Sequence, residues 1–230
     1  ANSFLATKIS FINAMAEISE AAGADAVALA EAIGMDARIG SQFLRNGIGF
    51  GGGCLPKDIR AFMARADELG VGSAVDFLAD VDAVNLRRRQ RVLDLANQEL
   101  GDIAGKKILM LGAAFKPDSD DIRDSPALDI AVQLAKAGAK VVIHDPMSLA
   151  GVMAKHPELD SVQDLTSAAQ DAELVVLGTE WKLYRELDAN SFGELVANKT
   201  VIDGRNALPY HAWQDAGWKV IALGRNLENA

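Results

Sequence analysis

The sequence predicts an α/β protein, all-helical over residues 1–100 and a doubly wound parallel sheet over residues 101–230. Three observations carry this prediction. Apolar residues recur at helical spacing through the first hundred positions, the pattern changes at Gly101, and beyond it short apolar runs alternate with helical segments.

In the helical part, Phe4, Leu5, Ile9, Ile12, Met15 and Ile18 form one apolar face ending near Gly23, and a second helix is predicted over 26–33. Asn2, Ile9 and Asn13 fall near one line on the first helix, because steps of seven and eleven residues nearly complete whole turns. Two amides can therefore face one cleft, although an N-terminal cap for Asn2 and an ordinary buried hydrogen bond for Asn13 are equally natural roles. Residues 36–53 read as a loop rich in glycine, arginine and phenylalanine. Pro56 suits a first helical position, and Ile59, Phe62, Met63, Ala66 and Leu69 continue a helix that Gly70 ends. A long helical pattern then runs from about residue 75 to residue 100, ~39 Å at 1.5 Å per residue. It is long enough to bridge two domains or to pack on a second subunit.

Beyond Gly101 the runs 107–112, 140–144, 173–178, 200–203 and 219–223 resemble strands buried on both faces, with the clearest intervening helix at 127–137. This is a Rossmann-like alternation, in which ligands bind at the carboxyl ends of the strands. Polar clusters fall at those ends: residues 115–123, Asp145-Pro146, Thr179-Glu180-Trp181, and Asp203 to Asn206. A dinucleotide fold needs G-x-G-x-x-G after its first strand, whereas Gly112-Ala-Ala-Phe-Lys-Pro117 offers one glycine and then bulk and charge, so this sheet is not expected to hold NAD. Lys116, Arg123 and Arg205 place three cations on one rim, which suits a phosphorylated ligand. Asp120 and Asp121 read as a helix start capped by Ser119.

The formal charge is −9 without an offsetting basic patch, so nucleic acid is not an expected partner. The dense run Arg87-Arg88-Arg89-Gln90-Arg91 reads as a solvated or subunit-facing helix surface. Without a long apolar run or a signal peptide, a cytoplasmic protein with no membrane partner is expected. Cys54 is the single cysteine and His144, His156 and His211 are scattered, so neither a disulfide nor a metal site is expected. Cys54 follows a glycine-rich approach and opens a helix, with Lys57 and Arg60 close in sequence. A lone cysteine is commonly a small buried hydrophobe, but a helix N-terminus with nearby cations favours a thiolate, and this context points to a reactive thiol.

Five motifs carry a resemblance: Asn2-Ser-Phe-Leu-Ala-Thr-Lys-Ile-Ser-Phe-Ile-Asn13, Gly47-Ile-Gly-Phe-Gly-Gly-Gly-Cys-Leu-Pro-Lys-Asp58, Phe115-Lys-Pro-Asp-Ser-Asp-Asp-Ile-Arg-Asp-Ser-Pro126, Gly178-Thr-Glu-Trp181 and Asp203-Gly-Arg-Asn206. Together they resemble the nucleotide-sugar 6-dehydrogenases, the family of UDP-glucose and GDP-mannose dehydrogenases. The resemblance implies oxidation of a sugar C6 alcohol to a carboxylate with two NAD⁺, through an aldehyde, a cysteine thiohemiacetal and a thioester. It implies Cys54 as nucleophile, Asp58 as organiser of the hydrolytic water and Asn2 as a holder of the C6 oxygen. Phe43, Leu44, Arg45, Phe115, Lys116 and Arg205 match positions that contact the UDP-sugar. Arg38 matches an arginine that reaches the neighbouring subunit's substrate, which implies a homodimer through the helical domain. Lys57 and Arg123 match residues facing the NAD diphosphate.

Lys116-Pro117 and the absence of a Gly-His-Cys pattern favour UDP-glucose within the family, and Gly53 stands where many relatives have serine, a departure expected not to matter. A GDP-mannose enzyme and a non-enzymatic dimeric nucleotide-sugar-binding module stay open. The family's N-terminal NAD-binding domain and its catalytic lysine have no counterpart in this sequence. The expectation is therefore a central helical domain (1–100) plus a C-terminal UDP-sugar-binding domain (101–230), inactive alone.

Overall fold

A computed structural model describes residues 1–227. The first helical pattern is α1 (Asn2–Ala22), which ends where Gly23 turns left-handed at φ 70°. Next come α2 (Ala26–Gly34), whose first amides bond to the Asp25 carboxylate, and α3 (Leu55–Glu68), with Pro56 in its first turn. The long pattern is split into a 3₁₀ turn, Gly72–Val75, and α4 (Phe77–Leu100). Val75 turns inward there to join a small core with Ile59, Leu78 and Val81.

α1 packs on α3 and α4, but not through all of the expected face. Ala6, Ser10, Ile12, Asn13 and Ala16 are buried, while Phe4, Phe11 and Ile18 are 71%, 49% and 59% exposed. Small residues face α4 because they let the two helices approach closely. The seven-residue row of large side chains is left facing outward.

The sheet consists of β1 (Lys107–Leu111), β2 (Lys140–His144), β3 (Asp160–Ser161), β4 (Leu174–Leu177), β5 (Thr200–Asp203) and β6 (Lys219–Ala222). All pairs are parallel, in the order β3-β2-β1-β4-β5-β6. Five strands lie within a residue of expectation; the two-residue polar edge strand β3 was not anticipated. Helices α5 (Pro126–Lys136), α6 (Leu149–Lys155), α7 (Leu165–Ala169), α8 (Lys182–Arg185), α9 (Ala189–Gly193) and α10 (Tyr210–Asp215) complete the layers. Along β1, Ile108 and Met110 face the core formed with α4 and α5, while Leu109 and Leu111 face Tyr184, Trp213 and Trp218 on the other side. Strand order reverses between β1 and β4, which opens a crevice at their carboxyl ends.

Two further expectations need correction. Ser119 caps no helix: it accepts one bond from the Asp121 amide inside a loop, and α5 begins at Pro126 with Ser125 as cap. The basic run is a surface only in part: Arg87 and Gln90 are exposed, whereas Arg88 and Arg89 are buried on the inner side of α4.

Candidate functional site

The glycine-rich loop is held from beneath by α4. Asn85 accepts from the Phe50 amide at 2.7 Å and donates to the Phe50 carbonyl at 3.1 Å. Arg88 donates to the Gly47 carbonyl at 3.3 Å and to Glu20 at 2.8 Å, and Arg89 reaches the Phe50 carbonyl at 3.4 Å. Burial pushes the Glu20 carboxyl up, but Arg88, the Gly224 amide and Arg91 outweigh it and hold the group below its ordinary value. From α1, Asn13 accepts from the Gly47 amide at 2.9 Å. A Cβ at Gly47 would sit 2.6 Å from the Gly204 carbonyl oxygen, so glycine there lets the loop lie directly on the turn after β5.

The turn after β1 is braced by one carboxylate. Asp145, fully buried, accepts from the Ala113 and Ala114 amides and the Trp181 indole through Oδ2, and from the Met147 and Ser148 amides through Oδ1. Burial alone would raise its pKa; the backbone amides prevail and keep it below the usual carboxylate range. Thr179 adds a 2.6 Å bond to the Ala114 carbonyl. In dinucleotide folds the acidic residue after the second strand serves the cofactor ribose. Here that carboxylate is taken up internally by five N–H donors.

Between loop and strand ends lies a cavity of about 860 Å³. It gathers Phe43, Leu44 and Arg45 from the loop, Phe115 and Lys116 from the turn after β1, and Arg205 from the turn after β5. Arg205 donates to the Gly178 carbonyl at 2.8 Å and the Gly49 carbonyl at 3.1 Å, and lies 3.4 Å from Glu180. Burial pulls its pKa below the ordinary guanidinium value, against the pull of Glu180 and Asp203. Polar atoms on the same wall lack hydrogen-bond partners: Nη2 of Arg205, Nδ2 of Asn13, Oε2 of Glu180 and Oδ1 of Asn206. The two nitrogens are donors and the two oxygens acceptors, so the wall carries unused hydrogen-bonding capacity of both kinds. Glu180 and Asn206 sit inside the sequence motifs without having been singled out; the buried roles of Asn85, Arg88 and Arg89 left no local signal.

Cys54 is exposed at the N-terminal boundary of α3, outside the cavity but next to its lining residue Leu55. The Asp58 amide bonds to the Cys54 carbonyl at 2.9 Å, and the Asn2 amide group donates to the Asp58 carboxylate at 2.6 Å. Asn2 is thus no cap: residues fifty-six positions apart meet at the cysteine's helix. Lys57 lies 3.6 Å from Asp58. Arg123 does not share the rim of Lys116 and Arg205: it is ion-paired with Asp121 at 2.7 Å and lies against Gly53, where a Cβ would come 2.7 Å from its guanidinium carbon. Arg60 turns away to Asp82 and Asp124. Arg38, 88% exposed and paired with Asp36, is not part of the cavity wall. Lys57 and Arg123 are both exposed near Cys54, each with a carboxylate partner. Among the described residues, no group of three or more His, Cys, Asp or Glu is placed to hold a metal ion, and no helix is long and apolar enough to cross a membrane.

Residues 1–87 match the central-domain model of the UDP-glucose/GDP-mannose dehydrogenase family, and residues 109–210 match its UDP binding domain. The chain is 37% identical over 226 residues to UDP-glucose 6-dehydrogenase TuaD of Bacillus subtilis, covering 98% of this chain and 49% of that protein. It is 35% identical to the Pseudomonas aeruginosa UDP-glucose 6-dehydrogenase, covering 98% of this chain and 51% of that protein. A solved UDP-glucose dehydrogenase from Pyrobaculum islandicum superposes with a TM-score of 0.83 at 33% identity, over 96% of this chain and 48% of that one. The chain spans about half the length of the curated relatives it matches.

Proposed function

The chain belongs to the UDP-glucose/GDP-mannose dehydrogenase family, and from that premise we propose that it supplies the sugar-binding and thiol-bearing half of the oxidation of UDP-glucose to UDP-glucuronate. The observation that carries this reading is the Asn2–Asp58 hydrogen bond at the start of the Cys54 helix, beside a cavity walled by Arg45, Lys116 and Arg205.

In this reading the cations and aromatic rings of the cavity hold the nucleotide diphosphate and present the sugar C6 toward Cys54. One Asn2 N–H is committed to Asp58, and the second is available for the C6 oxygen. The Cys54 thiolate adds to the carbonyl carbon of the C6 aldehyde, forming a C–S bond as the C=O π pair moves onto oxygen and takes a proton, which traps a compound that would otherwise escape. NAD, when bound, supplies the hydride acceptor for the two oxidation stages, with Lys57 and Arg123 against its pyrophosphate. Water adds to the resulting thioester, oriented by Asp58; the C–S bond then breaks, the thiolate leaves, and the acid ionises to the carboxylate product. The exposed row Phe4, Phe11 and Ile18 supports a homodimer through α1, in which Arg38 serves the partner's sugar site.

Calorimetric titration of the chain with UDP-glucose and GDP-mannose tests the proposal. UDP-glucose binding that Arg205→Ala and Lys116→Ala both weaken is expected. Preference for GDP-mannose would reassign the substrate, and binding of neither would remove the sugar site.

A further inference from the structure

Every arginine among the described residues outside the cavity has a carboxylate within salt-bridge distance. Inside the cavity Arg205 has Glu180, whereas Arg45 and Arg185 have none, and Lys116 contacts only the Phe115 ring. The charged wall residues are Glu31, Arg45, Lys116, Glu180, Arg185 and Arg205, an excess of two positive charges. A pyrophosphate diester carries two negative charges. In an acidic protein, unpaired arginines gathered on one concave surface with a net positive charge make a local well for such an anion.

Arg185 belongs to no motif singled out in the sequence. It ends α8, and the residues before it are fixed: Tyr184 is fully buried with its hydroxyl donating to the His144 carbonyl at 2.8 Å, and the Trp181 indole donates to Asp145. The backbone that carries Arg185 is therefore anchored to the same carboxylate that braces the Lys116 turn, while its own side chain stays exposed and without an ionic partner. We infer that Arg185 is a further diphosphate-recognition residue, completing the cationic lining of the cavity with Arg45, Lys116 and Arg205. The inference rests on the nucleotide-sugar reading of this cavity.

The test is titration of the full chain with UDP at several salt concentrations, comparing the unmodified protein with Arg185→Gln and Arg185→Lys. Because the Arg185 side chain is exposed and has no ionic partner, both variants should fold normally, which circular dichroism verifies. The expected result is an affinity loss of about tenfold in Arg185→Gln, a shallower salt dependence, and partial recovery in Arg185→Lys. An Arg185→Gln affinity within about twofold of the unmodified chain, or an Arg185→Lys variant as weak as Arg185→Gln, would overturn the inference and leave the sugar site intact. If the unmodified chain itself does not bind UDP, the nucleotide-sugar reading falls and the role of Arg185 falls with it.

Discussion

Replacing Asp145 by asparagine removes one oxygen from a carboxylate that serves five N–H donors. Three of these converge on Oδ2 and two on Oδ1, so a single amide oxygen can serve only one group. The new NH₂ must then face at least two N–H groups in a site closed to water. At about 1–3 kcal/mol for each unsatisfied buried donor, the expected cost is about 4 kcal/mol. For a chain of this length that corresponds to a fall of about 8–16 °C in Tm. Urea denaturation followed by tryptophan fluorescence measures it.

The effect has a pH signature. The Asp145 carboxyl is held below its ordinary value, so its stabilising contribution is complete above the unfolded-state pKa of about 3.9 and is lost as pH falls through the lower folded-state value. Asp145→Asn has no such group, and the stability gap to the unmodified protein should narrow on acidification. A cost below about 1 kcal/mol, or a gap that stays constant into that acid range, would refute the bracing role of Asp145.

Arg88→Met should destabilise by about 3 kcal/mol, the low end for breaking a buried ion pair, because Glu20 keeps Arg91 at 2.8 Å and the Gly224 amide at 2.9 Å; denaturant midpoints check this. Phe11→Asp puts a charge in the exposed row of α1 and should shift sedimentation toward a monomer with the fold retained. Gly53→Ser should leave UDP-glucose affinity within about twofold by titration, since the atoms a side chain meets there are the movable end of Arg123.

The strands were legible because apolar runs bounded by glycine or charge report burial on both faces directly. β3 was not, since Asp160 and Ser161 pair at a sheet edge without an apolar signature. The basic run was misread for a related reason. Helical spacing tells which residues share a face, but not that Glu20 and the Gly47 carbonyl will lie opposite Arg88. The α1 face was misassigned because hydrophobicity alone does not separate a close helix contact, which favours Ala6 and Ala16, from an outward row of Phe4, Phe11 and Ile18. At the site, motif matching located the cavity cations, whereas counting cations at the strand ends placed Arg123 on their rim, and neither gave a hint that Asp145 is structural. Both errors concern local pairing: Arg123 is captured by Asp121 two residues away, and Asp145 by the amides of two adjoining turns.

The most direct test of the account is a crystal structure of this chain with UDP-glucose. The diphosphate is expected against Arg205 and Lys116, with the glucose C6 directed at the Cys54 sulfur. A ligand seated outside the cavity, or one whose C6 points away from Cys54, would contradict it.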